Sequence, residues 1–149
     1  MTREEVALKV TQELRRGEGP TKLLNIVLEG VGPGWARTSM FLSDAMLNGH
    51  GNAHGGMLFL LADTTFAYAC NSHNVMTVAQ AASITFLAPG VAGETIIAEA
   101  SETALAGRSG VYDVRLTGTD GRAIAIFQGI SRSLGRPAIS EPEGTTHDD

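Results

Sequence analysis

At 149 residues the chain has the length of one ordinary domain, enough to bury a core without disulfide or metal staples. Hydrophobic residues make up 43% and charged residues 18%, which argues against both a disordered chain and a membrane protein. The formal net charge of −5 argues against a general nucleic-acid binder, which needs a basic face for phosphate.

The first segment, Met1 to Arg16, mixes Arg3, Glu4, Glu5, Lys9, Glu13, Arg15 and Arg16 with apolar positions. It therefore lacks the uncharged apolar stretch of a secretory peptide. Val6, Val10 and Leu14 recur at four-residue spacing, which predicts a short amphipathic helix closed by Gly17, Gly19 and Pro20. Two strands are expected next, Asn25 to Val31 and Trp35 to Leu42, joined by a Gly32-Pro33-Gly34 turn. A loop rich in Asn and Gly, Ser43 to Ala53, leads into a helix from His54 to about Cys70. That helix is apolar almost all the way round, so it belongs at the centre of the molecule. Its longest apolar run, Met57 to Ala62, stops at Asp63, far short of the roughly 20 residues of a membrane span.

Four further strands follow at Val78–Leu87, Thr95–Leu105, Ser109–Gly118 and Ala123–Arg132, the last two joined by the hairpin dipeptide Asp120-Gly121. A buried helix followed by a run of strands predicts an α+β domain, an antiparallel sheet wrapped about that helix. The organisation expected is an N-terminal helix and linker over 1–20, one domain over 21–136 and a frayed tail over 137–149. The single cysteine, Cys70, excludes an internal disulfide and fits a reducing cytoplasm. Its surroundings make it an inert buried thiol rather than a nucleophile.

The chemistry concentrates around Asp63 and the glycines before the helix. A carboxylate interrupting a buried apolar helix is costly unless it is paired or functional, which marks Asp63 as a candidate general base or nucleophile. Gly55 and Gly56 stand where the helix begins, and free N–H groups there can polarise a carbonyl. Eight residues separate Gly55 from Asp63, about 12 Å along a helix and roughly 80° apart around it. The two therefore act on one carbonyl only if a second helix runs antiparallel alongside, and an isologous dimer supplies that twice over. His50 and His54 have the i, i+4 spacing of a zinc pair, but the glycines between and after them make this a loop, and no metal site is expected.

The run Asn48-Gly49-His50, His54-Gly55-Gly56, Asp63 and Phe66-Ala67-Tyr68-Ala69-Cys70-Asn71 resembles the hotdog-fold acyl-CoA thioesterases. Within them it is most similar to the phenylacetic acid degradation (PaaI-type) subfamily. The likeness runs from about Leu47 to Gly135, with Phe86-Leu87-Ala88-Pro89-Gly90 and Gly110-Val111-Tyr112-Asp113 as later landmarks. It implies a hotdog fold, dimers that share their active sites, and pairing of dimers into a homotetramer. It further implies that the Gly55 N–H polarises the thioester carbonyl, and that Asp63 of the opposing subunit is the nucleophile or the base activating water. Asn48 is implied beside the reacting centre, with His54 stabilising the loop and Gly56 next to the substrate. Some relatives carry a serine near the start of the following strand, where this chain has Ala79, so no role for that hydroxyl transfers here.

An acidic chain that binds coenzyme A must gather positive charge locally. Arg108 and Ser109, in the turn after the second of the four later strands, are the expected phosphate contacts, with Arg132 and Arg136 as further candidates. Coenzyme A belongs to the substrate, so no separate cofactor is expected, and neither is a nucleic-acid or membrane partner. The favoured substrate is an arylacetyl-CoA such as phenylacetyl- or hydroxyphenylacetyl-CoA, with a medium-chain fatty acyl-CoA as the alternative. Phe59, Phe66 and Tyr68 are the ring-bearing positions available to line an aromatic slot. The same fold also hosts enoyl-CoA hydratases and non-catalytic acyl-CoA-binding domains. The former need a histidine–acid pair in different surroundings; the latter need no acid at the helix centre.

Overall fold

The computed structural model describes residues 1–140. Ten elements follow the chain: α1 (Arg3–Gly17), α2 (Gly19–Leu23), β1 (Val27–Gly32), β2 (Trp35–Phe41), a 3-10 turn (Asp44–Met46), α3 (Gly55–Asn71), β3 (Thr77–Phe86), β4 (Thr95–Ala106), β5 (Ser109–Thr117) and β6 (Ala123–Ser133). The six strands form one antiparallel sheet in the order β1-β2-β4-β5-β6-β3. This is the expected α+β hotdog arrangement, with the sheet curved round α3.

Alternation builds the inner face. Ile96, Ala98 and Ala100 of β4, Tyr112, Val114 and Leu116 of β5, and Ala125 and Phe127 of β6 are all buried, as period-two strands with one face on a core require. They meet Leu58, Leu61, Ala62, Phe66 and Ala69 of α3. Gly129 on β6 leaves room for the Phe66 ring, which lies 2.7 Å from where a Cβ would stand. The sheet and helix are thus packed against each other at the closest approach that side chains permit.

The predicted strand pairs are present, but β3 does not lie beside β4. It crosses to the far edge and pairs with β6, from Thr77↔Ser133 to Phe86↔Ala125. Its outer edge has no neighbour, and nearly all of its residues are exposed.

The N-terminal helix is built into the same body. Thr2 and Glu5 form a reciprocal capping box, and Arg15 and Arg16 occupy the last turn, where the helix dipole favours cations. The buried positions are Ala7, Val10 and Thr11, so the inward stripe is rotated from the expected Val6–Val10–Leu14 line. Thr11 joins it because its hydroxyl donates to the Ala7 carbonyl at 2.8 Å and leaves no bare polar group. Residues 19–23, which include the end of the expected linker, form a second helix with Pro20 in its first turn, where proline is pre-organised. Arg15 ties the two helices to the core, donating to the Ile26 carbonyl at 2.9 Å and the Tyr68 hydroxyl at 3.3 Å. Of the expected tail, 141–149 lies outside the described residues, and the Ile139 N–H donates to Asn74 Oδ1 at 3.1 Å.

Candidate active site

The site is organised by the first turn of α3. Asn48 Oδ1 accepts from the N–H groups of His50 (2.9 Å) and Asn52 (3.2 Å), which folds the glycine-rich loop into a tight turn. The loop is anchored behind by Ala53 N–H to the Gly90 carbonyl at 2.9 Å and His54 N–H to the Met46 carbonyl at 2.8 Å. His54 is the N-cap of α3, its Nδ1 accepting from the Gly56 N–H at 2.9 Å. That bond takes the Gly56 N–H and leaves the Gly55 N–H with no hydrogen-bond partner among the described residues. Asn48 Nδ2 is likewise without one.

Gly55 is glycine for a steric reason as well. A Cβ there would stand 3.0 Å from the Phe86 ring, which lies over the start of the helix. Sequence reasoning marks Phe86 only as a landmark of the resemblance, because its contact with Gly55, thirty-one residues away, leaves no local signal.

Asp63 lies in the middle of α3, about 12 Å along the axis from Gly55. It is half-buried and has no hydrogen bond or ion pair among the described residues. Burial without compensation holds its carboxyl above the ordinary carboxylate value. At about 100° per residue, Asp63 shares its face of α3 with Gly56, Phe59, Leu60 and Ala67, none of which is fully buried. The helix expected to be wholly enclosed therefore leaves one stripe open in a single chain. Asp63 stands on that stripe.

Arg108 and Ser109 are at the other end. They lie in the β4–β5 turn and line a crevice of about 190 Å³ with Cys70, His73, Tyr112, Ser131 and Ser133 at the C-terminal end of α3. Fifteen residues of helix, about 22 Å, separate Cys70 from Gly55, so a single chain does not bring Arg108 and Gly55 together. Ser131 and Ser133, which also line the crevice, were not singled out from sequence, since the strand that carries them meets the β4–β5 turn only in the sheet. Cys70 itself is buried, and burial first, then the nearby Asp63 charge, push its thiol up to about 12. His73 is exposed and its Nε2 lies 2.8 Å from Glu102 Oε2.

A sheet curved round one helix, with an open N–H at its start and an uncompensated carboxylate halfway along, suits attack on an activated carbonyl. Comparison with known proteins agrees. A family model described as the thioesterase superfamily matches residues 50–125, which include the whole stretch from His54 to Asp63. The acyl-coenzyme A thioesterase PaaI of Escherichia coli K12 is 43% identical over 120 residues, 80% of this chain and 86% of that protein. The structure of E. coli PaaI, from the phenylacetic acid degradation operon, superposes with a TM-score of 0.89 at 37% identity, covering 91% of this chain and 99% of that one. A hypothetical thioesterase protein of Streptococcus pneumoniae TIGR4, solved with coenzyme A, superposes with a TM-score of 0.73 at 25% identity, covering 76% of this chain and 91% of that one. The chain belongs to the thioesterase superfamily. It is an enzyme, a PaaI-like thioester hydrolase of the acyl-CoA thioesterase kind.

Proposed function

We propose that the enzyme hydrolyses arylacetyl-CoA thioesters, phenylacetyl- or hydroxyphenylacetyl-CoA, to the free acid and coenzyme A, in a site shared by two copies of the chain. The observation that carries this reading is Asp63, half-buried and unpaired on the one open stripe of a helix that is otherwise enclosed. The open stripe and the unpaired edge of β3, with Val78 and Phe86 exposed on it, support a partner copy beside this one. An antiparallel neighbour sets Gly55 of each chain against the partner's Asp63. Two such dimers then pair into a tetramer.

In that arrangement the Gly55 N–H donates to the thioester oxygen and stabilises the negative charge that develops on it. Asp63 either attacks the carbonyl carbon or takes a proton from the water that does. As a base, Asp63 lets water add its hydroxyl directly to the acyl group. As a nucleophile, it expels the thiolate to form an acyl–aspartyl anhydride that water cleaves, leaving its oxygen on the acid or on Asp63. In both cases a proton leaves with the coenzyme A thiol. Asn48 Nδ2 is free to hold the water or the substrate oxygen, and His54 keeps the first turn in place. Arg108 and Ser109, in a crevice beyond Asp63, receive coenzyme A phosphate. No cofactor takes part, and the cytoplasm is the compartment in which acyl-CoA and a lone thiol fit. Among the described residues, no helix is long and apolar enough to cross a membrane.

Thiol release from a panel of acyl-CoAs, measured for wild type and Asp63→Asn, tests the reading. Arylacetyl esters are expected to turn over fastest, with the variant folded and slower by about 10²–10⁴-fold. Faster turnover of medium-chain esters replaces the substrate, and enoyl-CoA hydration without thiol release replaces the reaction. Single turnover in ¹⁸O-water then separates the two roles of Asp63: label enters its carboxylate only if it is the nucleophile.

A further inference from the structure

Of the ring-bearing positions Phe59, Phe66 and Tyr68 on α3, the last two belong to the core. Phe66 and Tyr68 are 1% and 0% exposed, Phe66 packed on Phe127 and Tyr112, and the Tyr68 hydroxyl donating to Glu18 at 2.7 Å. Neither can touch a ligand. Phe59 is only half-buried and precedes Asp63 by about one turn, roughly 40° round the helix. Its ring is held edge-on to Phe127, with centroids 5.4 Å apart, so it borders the carboxylate in a fixed orientation.

A second ring stands by the other half of the site. Phe86 is 53% exposed, yet it lies against Gly55, at 3.0 Å from the position of an added Cβ. It thereby flanks the open N–H at the start of α3. In a site built from Gly55 of one chain and Asp63 of the other, each carbonyl has one such ring on either side. An aryl group one methylene from that carbonyl reaches a neighbouring ring at the 4.5–7 Å centroid separation that aromatic pairs favour. A straight alkyl chain gains only the area it buries.

We propose that Phe59 and Phe86 determine specificity for aryl over alkyl acyl groups, Phe59 entering with the chain that supplies Asp63 and Phe86 with the chain that supplies Gly55. This rests on the shared thioesterase site proposed above. The test compares kcat/KM for phenylacetyl-CoA and hexanoyl-CoA in wild type, Phe86→Leu and Phe59→Leu. Leucine keeps apolar bulk and removes the ring. The aryl-to-alkyl ratio is expected to fall about 5- to 10-fold in each variant. Phe86→Leu tests the idea without disturbing the core, since that side chain is exposed. A ratio within twofold of wild type in both variants overturns the proposal.

Titration with the non-hydrolysable ketone analogues of the two esters, in which a methylene separates carbonyl from sulfur, reads the same preference without turnover. If thiol release fails for every ester, the hydrolysis reading falls while this binding ratio still decides the role of the rings. Tighter binding of the aryl analogue that is lost in Phe86→Leu supports it. Equal binding of both analogues by wild type overturns it.

Discussion

The two faces of α3 obey different rules. On the face turned to the sheet, every polar side chain is answered. The Thr65 hydroxyl donates to the Leu61 carbonyl at 2.8 Å and lies 2.7 Å from that of Thr38. The Tyr68 hydroxyl donates to Glu18, and the Asn71 side chain both donates to and accepts from the Thr77 backbone, at 3.0 and 2.9 Å. Among the described residues no buried side-chain nitrogen or oxygen lacks a partner. On the opposite face Asp63 is half-buried, with no partner among the described residues. The contrast between the two faces is what the proposed catalytic role of Asp63 rests on.

The sharpest way to break the comparison is to remove the one open N–H while leaving the helix intact. Gly55→Pro does this, because Gly55 is the first helical residue, where proline is tolerated, and His54 before it is already extended. Its Cβ also meets the Phe86 ring at 3.0 Å, and Gly55→Ala, which adds the same Cβ but keeps the N–H, is the control for that contact. The expected loss is about 10²–10³-fold in kcat, with the circular dichroism spectrum retained. A normal kcat assigns carbonyl polarisation elsewhere.

A subtler effect belongs to the open face. Because burial raises the Asp63 pKa above its ordinary value of 3.8, the acid limb of the kcat/KM profile lies above the ordinary carboxylate range and disappears in Asp63→Asn. The same shift fixes a sign for stability. The native state binds more protons at Asp63 than the unfolded chain does, so wild type loses stability as pH rises from 3.8 through the raised pKa. Asp63→Asn is therefore expected to melt above wild type at neutral pH, with the gap closing in acid. Thermal melts across that range check it, and a variant that melts lower at pH 7 returns Asp63 to a structural role.

The buried face responds differently. Gly129→Ala places a methyl 2.7 Å from the Phe66 ring and is expected to cost about 1–3 kcal/mol in denaturant unfolding. Its effect on turnover is smaller than that of any change on the open stripe.

Much of this was legible in the sequence because periodicity and turn chemistry are local. The β1–β2 and β5–β6 hairpins follow from Gly32-Pro33-Gly34 and Asp120-Gly121, and they pair as Gly32↔Trp35 and Thr117↔Ala123. The phase of α3 was not legible, since a helix apolar all round gives no clue to which residues face out; only its packing tells Phe59 from Phe66. The edge position of β3 was hidden too, because its pairing with β6 joins segments some fifty residues apart in a register that no turn announces. The same distance effect concealed that Arg108 lies a helix length from Gly55 of its own chain.

Complementation between inactive chains tests the shared site most directly. Gly55→Pro and Asp63→Asn chains, refolded together in equal amounts, form heterodimers in half of the pairs. Each heterodimer holds one site with both Gly55 and Asp63 intact, so about a quarter of wild-type activity is expected to return. Activity no greater than the mean of the two separate variants contradicts a site built across two chains.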